Sequence, residues 1–230
     1  MILLNGLYKC GSPEHWLQTL ERDFIQRVDQ AILERGVCHI SLSGGNTPKP
    51  FYRHLSGSLI PWENIEWWAG DERCVHPTDP QSNEKMIYDT LFAPTDAGVQ
   101  PPYRFHTWYT GSTWQDCAAN YHRRMADILG QPAIFDLVLL GLGNDGHTAS
   151  LFPSSPALEE TVQNAAYNPV VLLNTERLTV TYPVLNAARE IWFLISGADK
   201  GPMVERLLEG DSSIPAGNID NANQKVYWLV

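Results

Sequence analysis

Short β-rich segments, apolar almost without a break, recur along this chain: VCHISLS (37–43), NIEWWAG (64–70), FDLVLLG (135–141) and EIWFLIS (190–196). A strand with no consistent polar face has to be covered on both sides. Helix-like stretches lie between these segments. Ser12-Pro13 supplies a hydroxyl cap and a proline at the first helical position. Leu17, Leu20, Phe24, Val28, Ala31 and Ile32 then recur at three- and four-residue spacing, up to a stop at Gly36. Further helices are expected from Thr47-Pro48 to about Leu55 and over 81–92, 113–130 and 199–209, with further strands at 170–173, 177–181 and the terminal VYWLV. Strands alternating with helices predict an α/β fold, a largely parallel sheet covered by helices on both faces. Ligands of such sheets bind beyond the carboxyl ends of the strands. The Pro-rich piece 92–102 reads as an exposed connection, and one domain over 1–230 is expected.

Lys plus Arg number 16 and Asp plus Glu 26, a formal net charge of −10. That balance argues against nucleic acid and anionic membranes as partners. An anionic substrate would need a local cluster of positive groups. No stretch approaches the about 20 apolar residues of a membrane span, and the N-terminus does not read as a secretory signal. Cys10, Cys38, Cys74 and Cys117 are scattered, which suits reduced thiols in the cytoplasm. The spacing of His and Cys offers no metal site.

Four motifs follow strands or open them. Ser43-Gly44-Gly45-Asn46-Thr47-Pro48 joins a strand to a helix. Its glycines let backbone amides approach a phosphate, and the helix start adds partial positive charge. A plain turn capped by Thr47 is the competing reading. The loop lacks the Gly-Lys-Ser/Thr of a Walker loop, and Ser41 stands where a nucleophile elbow needs Gly. Gly70-Asp71-Glu72-Arg73 sets three charges at a strand end, where Arg73 meets either a substrate anion or an internal carboxylate. Trp67 and Trp68 read as packing groups.

Gly141, Gly143 and Gly146 match the dinucleotide pattern GxGxxG, but the context fails: LFPSSP (151–156) interrupts the long helix it requires. What this loop does supply is Asp145 two residues from His147. Histidine is suited to proton transfer near neutral pH, and a neighbouring carboxylate orients it. Arg177 and Lys200 sit at strand edges and join Arg73 as candidate cations.

In this order, SLSGGNTPKPFY (41–52), WWAGDERCVHPTDPQSNEKM (67–86), DLVLLGLGNDGHTASLFP (136–153), ERLTVTYPVLNAARE (176–190) and SGADKGPMVERLLEG (196–210) resemble the 6-phosphogluconolactonase family, which belongs with the glucosamine-6-phosphate deaminases. The resemblance implies a Rossmann-like sheet, no cofactor, and hydrolysis of 6-phosphoglucono-1,5-lactone to 6-phosphogluconate in the pentose phosphate pathway. The deaminases typically read Asp-Glu-Tyr at 71–73 and carry a catalytic Glu where this chain has Ser150-Leu151-Phe152-Pro153. His76, Asn144 and Glu84 depart from common residues of the lactonase pattern.

The expected mechanism makes His147 the base that activates water, with Asp145 orienting it. Ser43, Gly44, Gly45, Asn46, Thr47, Asp71, Arg73, Arg177 and Lys200 are expected to bind substrate. Which cation meets the phosphate and which the oxyanion stays open, as does monomer or small homo-oligomer. An isomerase or deaminase of the same superfamily and a non-catalytic sugar-phosphate sensor are the alternatives.

Overall fold

The structure is a computed structural model that describes residues 6–94 and 102–230. Most of the expected connection at 92–102 therefore lies outside the described residues. In chain order the elements are β1 (Leu7–Cys10), α1 (Pro13–Arg35), β2 (Cys38–Leu42), α2 (Lys49–Ser56), β3 (Ile65–Ala69), β4 (Asp71–Arg73), α3 (Asn83–Thr90), β5 (Arg104–His106) and α4 (Trp114–Leu129). There follow β6 (Leu137–Leu140), β7 (Ala165–Val170), β8 (Thr175–Val180), α5 (Tyr182–Ala187), β9 (Ile191–Ser196), α6 (Gly201–Leu208) and β10 (Gln224–Leu229).

Seven strands form one sheet in the order β1-β10-β9-β6-β2-β3-β5, and every neighbouring pair is parallel. All of β6 and nearly all of β9 are buried, the result of having both faces covered. Trp67 and Trp68 show the two covers directly, because adjacent strand residues point to opposite faces. Trp67 stacks on Phe24 of α1 at 6.1 Å between ring centroids. Trp68 meets Tyr121 of α4 edge-on at 5.8 Å. Both indoles are packing groups, as expected.

Helix α1 forms where the sequence places it. The Ser12 hydroxyl accepts from the His15 amide at 3.3 Å, and Trp16, Leu20, Phe24, Val28 and Ala31 make the buried stripe. Fully burying a large apolar side chain of this kind contributes about 1.5–3 kcal/mol. Among the described residues no helix is long and apolar enough to cross a membrane.

A second, smaller sheet departs from the sequence reading. Its order is β4-β8-β7, and both pairs are antiparallel. The strand expected at 170–173 is instead β7, while Val171–Leu173 is a single 3-10 turn at the tip of the β7–β8 hairpin. The aliphatic triplet has high β propensity but no sheet face to cover it. AAYNPV of β7 holds a proline that only an edge strand tolerates, and β7 is an edge strand. The sequence reading also passed over β1, β4, β5 and α5, all of them short.

Candidate active site

β9, β6, β2 and β3 are neighbours and run the same way, so their carboxyl ends open onto one place. A cleft of about 370 Å³ lies there. Ser43, Gly44, Gly45, Asn46, Thr47, Asp71, Arg73, His147 and Arg177 all line it. Asp145 and Lys200 are not among the lining residues but bond to residues that are, His147 and Leu142.

The loop after β2 leads into α2 without a side-chain cap. The Thr47 hydroxyl instead meets Ser196 Oγ at the end of β9, 3.0 Å away. That decides against the reading of Thr47 as a cap. None of the amides of Gly44, Gly45, Asn46 and Thr47 donates to a backbone acceptor among the described residues. Unpaired amides at the start of a helix are donors for an anion. Gly44 is required by Asn83, whose Oδ1 would lie 2.0 Å from a Cβ at position 44.

After β3 the chain leaves the main sheet at Gly70 and enters β4. Asp71 is buried, accepting from Ser150 Oγ at 2.6 Å and from Asn83 Nδ2 at 3.2 Å. Glu72 turns away from the cleft. Its two oxygens accept from the amides of Arg73, Asn83 and Glu84 and from Ser82 Oγ, all within 2.9 Å. Burial raises the Glu72 pKa against the pull of those four donors. Arg73 makes no internal carboxylate bridge among the described residues; its Nη1 donates to Gln81 O.

Arg73 is the cross-strand partner of Arg177 in β8. Like charges directly opposite in an antiparallel pair are destabilising. Burial and the neighbouring Arg73 guanidinium push Arg177 below the usual arginine range, against Asp71. Two facing guanidiniums in a cleft therefore mark a place for negative charge supplied from outside.

The loop after β6 closes on itself through Gly143 N to His147 O at 2.9 Å and Thr148 Oγ1 to Gly141 O at 2.8 Å. His147 Nδ1 lies 2.5 Å from Asp145 Oδ1. A carboxylate only accepts, so in the neutral imidazole Nδ1 carries the proton and Nε2 keeps its lone pair. Nε2 makes no hydrogen bond among the described residues. Burial opposes ionisation of Asp145, but the amide and ring of His147 hold its carboxyl below the usual range. Gly143 makes this pairing sterically possible: a Cβ there would lie 2.1 Å from Nδ1 and 2.6 Å from Asp145 Oδ1.

Lys200 donates to Leu142 O at 2.8 Å and to Asn144 Oδ1, bracing this loop from behind. The departures at 76 and 84 also fall outside the cleft. His76 Nδ1 meets Thr78 Oγ1 at 2.8 Å. Glu84 is buried, accepting from Thr107 Oγ1 at 2.6 Å and from the Trp108 amide at 2.5 Å. Among the described residues no three His, Cys, Asp or Glu side chains group as a metal site.

The sequence reading gave no site role to the cleft residues Asn83, Ser150 and Phe152. Phe152 stacks on His147 with ring centroids 4.2 Å apart. All three lie inside motifs that the resemblance quoted, and Asn83 directly follows the Ser82 cap of α3.

Known proteins resemble this chain over most of its length. Residues 11–228 match the family model described as glucosamine-6-phosphate isomerases/6-phosphogluconolactonase. A protein named 6-phosphogluconolactonase from Synechocystis sp. is 42% identical over 185 residues, 76% of this chain and 72% of that one. A protein of the same name from Nostoc sp. is 35% identical over 218 residues, 90% of this chain and 87% of that one. The crystal structure of a 6-phosphogluconolactonase from Shewanella baltica superposes with a TM-score of 0.85 over the whole of both chains at 24% identity, a likeness of fold. A family match over nearly the full length, with relatives this similar, means that the chain belongs to the glucosamine-6-phosphate isomerase/6-phosphogluconolactonase family.

Proposed function

We propose that this protein hydrolyses 6-phosphoglucono-1,5-lactone to 6-phosphogluconate in the pentose phosphate pathway. The observation that carries the reading is the Asp145–His147 pair, with Nε2 free, in a cleft whose other walls offer donors to anions. The names of the relatives support it.

Nε2 takes a proton from water as the water oxygen bonds to the lactone carbonyl carbon, C1. The carbonyl electrons move onto its oxygen. They return as the bond from C1 to the ring oxygen breaks, and the imidazolium passes its proton to that leaving oxygen. Asp145 keeps Nδ1 protonated and fixes the ring. The 44–47 amides, with Ser43 and Thr47, take the 6-phosphate. That group is remote from C1, so its binding energy serves positioning. Arg177 approaches the His147 side through Phe152, its Cζ 6.0 Å from that ring. Arg177 and its partner Arg73 therefore face the charge that develops on the C1 oxygen. Asp71 holds Asn83 and Ser150 in the wall and presents the rest of its surface to the sugar. Lys200 acts through the 142–144 loop. Free thiols at all four cysteines suit a cytoplasmic setting.

The test is turnover by the purified protein. Loss of 6-phosphogluconolactone should far exceed its spontaneous hydrolysis, and glucosamine-6-phosphate should release no ammonia. Ammonia release at a comparable rate would assign the deaminase reaction. Tight binding of 6-phosphogluconate with neither turnover would leave a sensor.

A further inference from the structure

We propose that Phe152 is a positioning residue for the base: its ring carries the imidazole of His147 and favours the protonated ring that forms as water is activated. The inference rests on the reading of His147 as that base. The two rings are stacked, centroids 4.2 Å apart and 27° between planes. Phe152 is 7% exposed. The backbone around it is pinned from several elements. The Ser150 amide donates to Thr179 Oγ1 of β8 at 3.1 Å, and its hydroxyl donates to Asp71 of β4 at 2.6 Å. Asn168 Nδ2 of β7 donates to Ser150 O at 2.8 Å. On the far side, Ser155 Oγ donates to Phe152 O at 2.8 Å. Ala149, within this stretch, holds φ +46°, a conformation that non-glycine residues keep only when their surroundings dictate it.

The hydrogen bond to Asp145 fixes one ring nitrogen and leaves the tilt of the imidazole about that bond unspecified. A fixed aromatic face removes this freedom and keeps Nε2 aimed at the cleft. The face also carries the negative lobe of the ring quadrupole, which attracts an adjacent cation. The charged groups around His147 are Asp145 on its own loop, Asp71 and Arg73 on β4, and Arg177 on β8, with Lys200 behind the loop. The two arginines oppose an imidazolium, so Phe152 works with Asp145 against them.

Phe152→Leu keeps the apolar bulk and removes the aromatic face; Phe152→Tyr keeps both. The measurements are an NMR titration of the His147 imidazole and steady-state kcat and KM for the lactone, with thermal melts to confirm folding. Phe152→Leu should lower the His147 pKa by about 0.5–1 unit. Its kcat should fall roughly 10- to 100-fold with KM little changed, and Phe152→Tyr should restore both. An unmoved or raised titration in Phe152→Leu would overturn the proposal, as would a change confined to KM or equal losses in both variants. A wild-type protein that fails to hydrolyse the lactone, while Phe152→Leu still lowers the His147 titration, would end the functional reading and with it the positioning role, leaving only the effect of the ring contact on the imidazole.

Discussion

At position 143 the absence of a side chain decides whether His147 and Asp145 meet. Alanine suits the backbone there, but its Cβ would occupy the place of the imidazole nitrogen. Gly143→Ala should therefore fold and lose kcat by roughly 100-fold, the cost of displacing a reacting group by about 1 Å. Circular dichroism and steady-state kinetics check this; an active Gly143→Ala protein would show that the pairing with Asp145 is dispensable. The dyad was legible in the sequence because both residues lie in one short glycine-rich loop after the most apolar strand. Glu72 was not: its donors at 82–84 come from the start of another helix, and only the fold brings them to it. Lys200 was legible as a cation near a strand end, but not its target, since Leu142 and Asn144 are far away in sequence.

At the scale of elements, α3 and the strand pair β4–β8 each carry a testable consequence. Burial, with Glu72 nearby, pushes the Glu84 carboxyl up to about 7, against its bonds from Thr107 and Trp108. Its folded pKa thus lies above the unfolded value of about 4.3. Between these values the native state holds a proton that the unfolded chain has released, so stability falls as pH rises through this window and levels off above about 7. The size of the effect is on the order of 3 kcal/mol. Urea unfolding at pH 5, 6, 7 and 8 should show this decline in the wild type relative to Glu84→Gln. Parallel curves for the two proteins would refute a raised Glu84.

In β4–β8, Arg73→Ala should leave the ligand-free protein as stable or more stable, because facing like charges cost about 0.2–1 kcal/mol. The same change should lower kcat on 6-phosphogluconolactone and on unphosphorylated gluconolactone alike. A loss confined to the phosphorylated substrate would move Arg73 to the phosphate. Elements with a cap and a full apolar stripe, such as α1, were legible from sequence. Of the small antiparallel sheet only β8 was legible, as the strand expected at 177–181; β4 and β7 were not, because they are short and partly exposed, and periodicity carries little signal over three to six residues.

Across the whole molecule, an acidic chain gathers two arginines and a run of free amides into one cleft by folding. Neighbouring parallel strands deliver an amide-rich loop and a histidine–aspartate dyad to one opening, and the antiparallel pair β4–β8 adds two arginines there, while most of the −10 net charge lies elsewhere. The sequence shows each motif after its strand, and parallel strands imply a shared end. The distances that divide reacting groups from bracing groups come only with the fold. The central claim is that His147 activates water. It is tested most directly by the pH dependence of lactone hydrolysis in the wild type and in His147→Ala, with spontaneous hydrolysis subtracted at each point. Positioned acid–base catalysis contributes about 10²- to 10⁴-fold. His147→Ala should therefore lose kcat in that range with little change in KM, and the fall of wild-type kcat/KM at acid pH should vanish in the variant. A folded His147→Ala protein with wild-type kcat and the same acid limb would contradict the account.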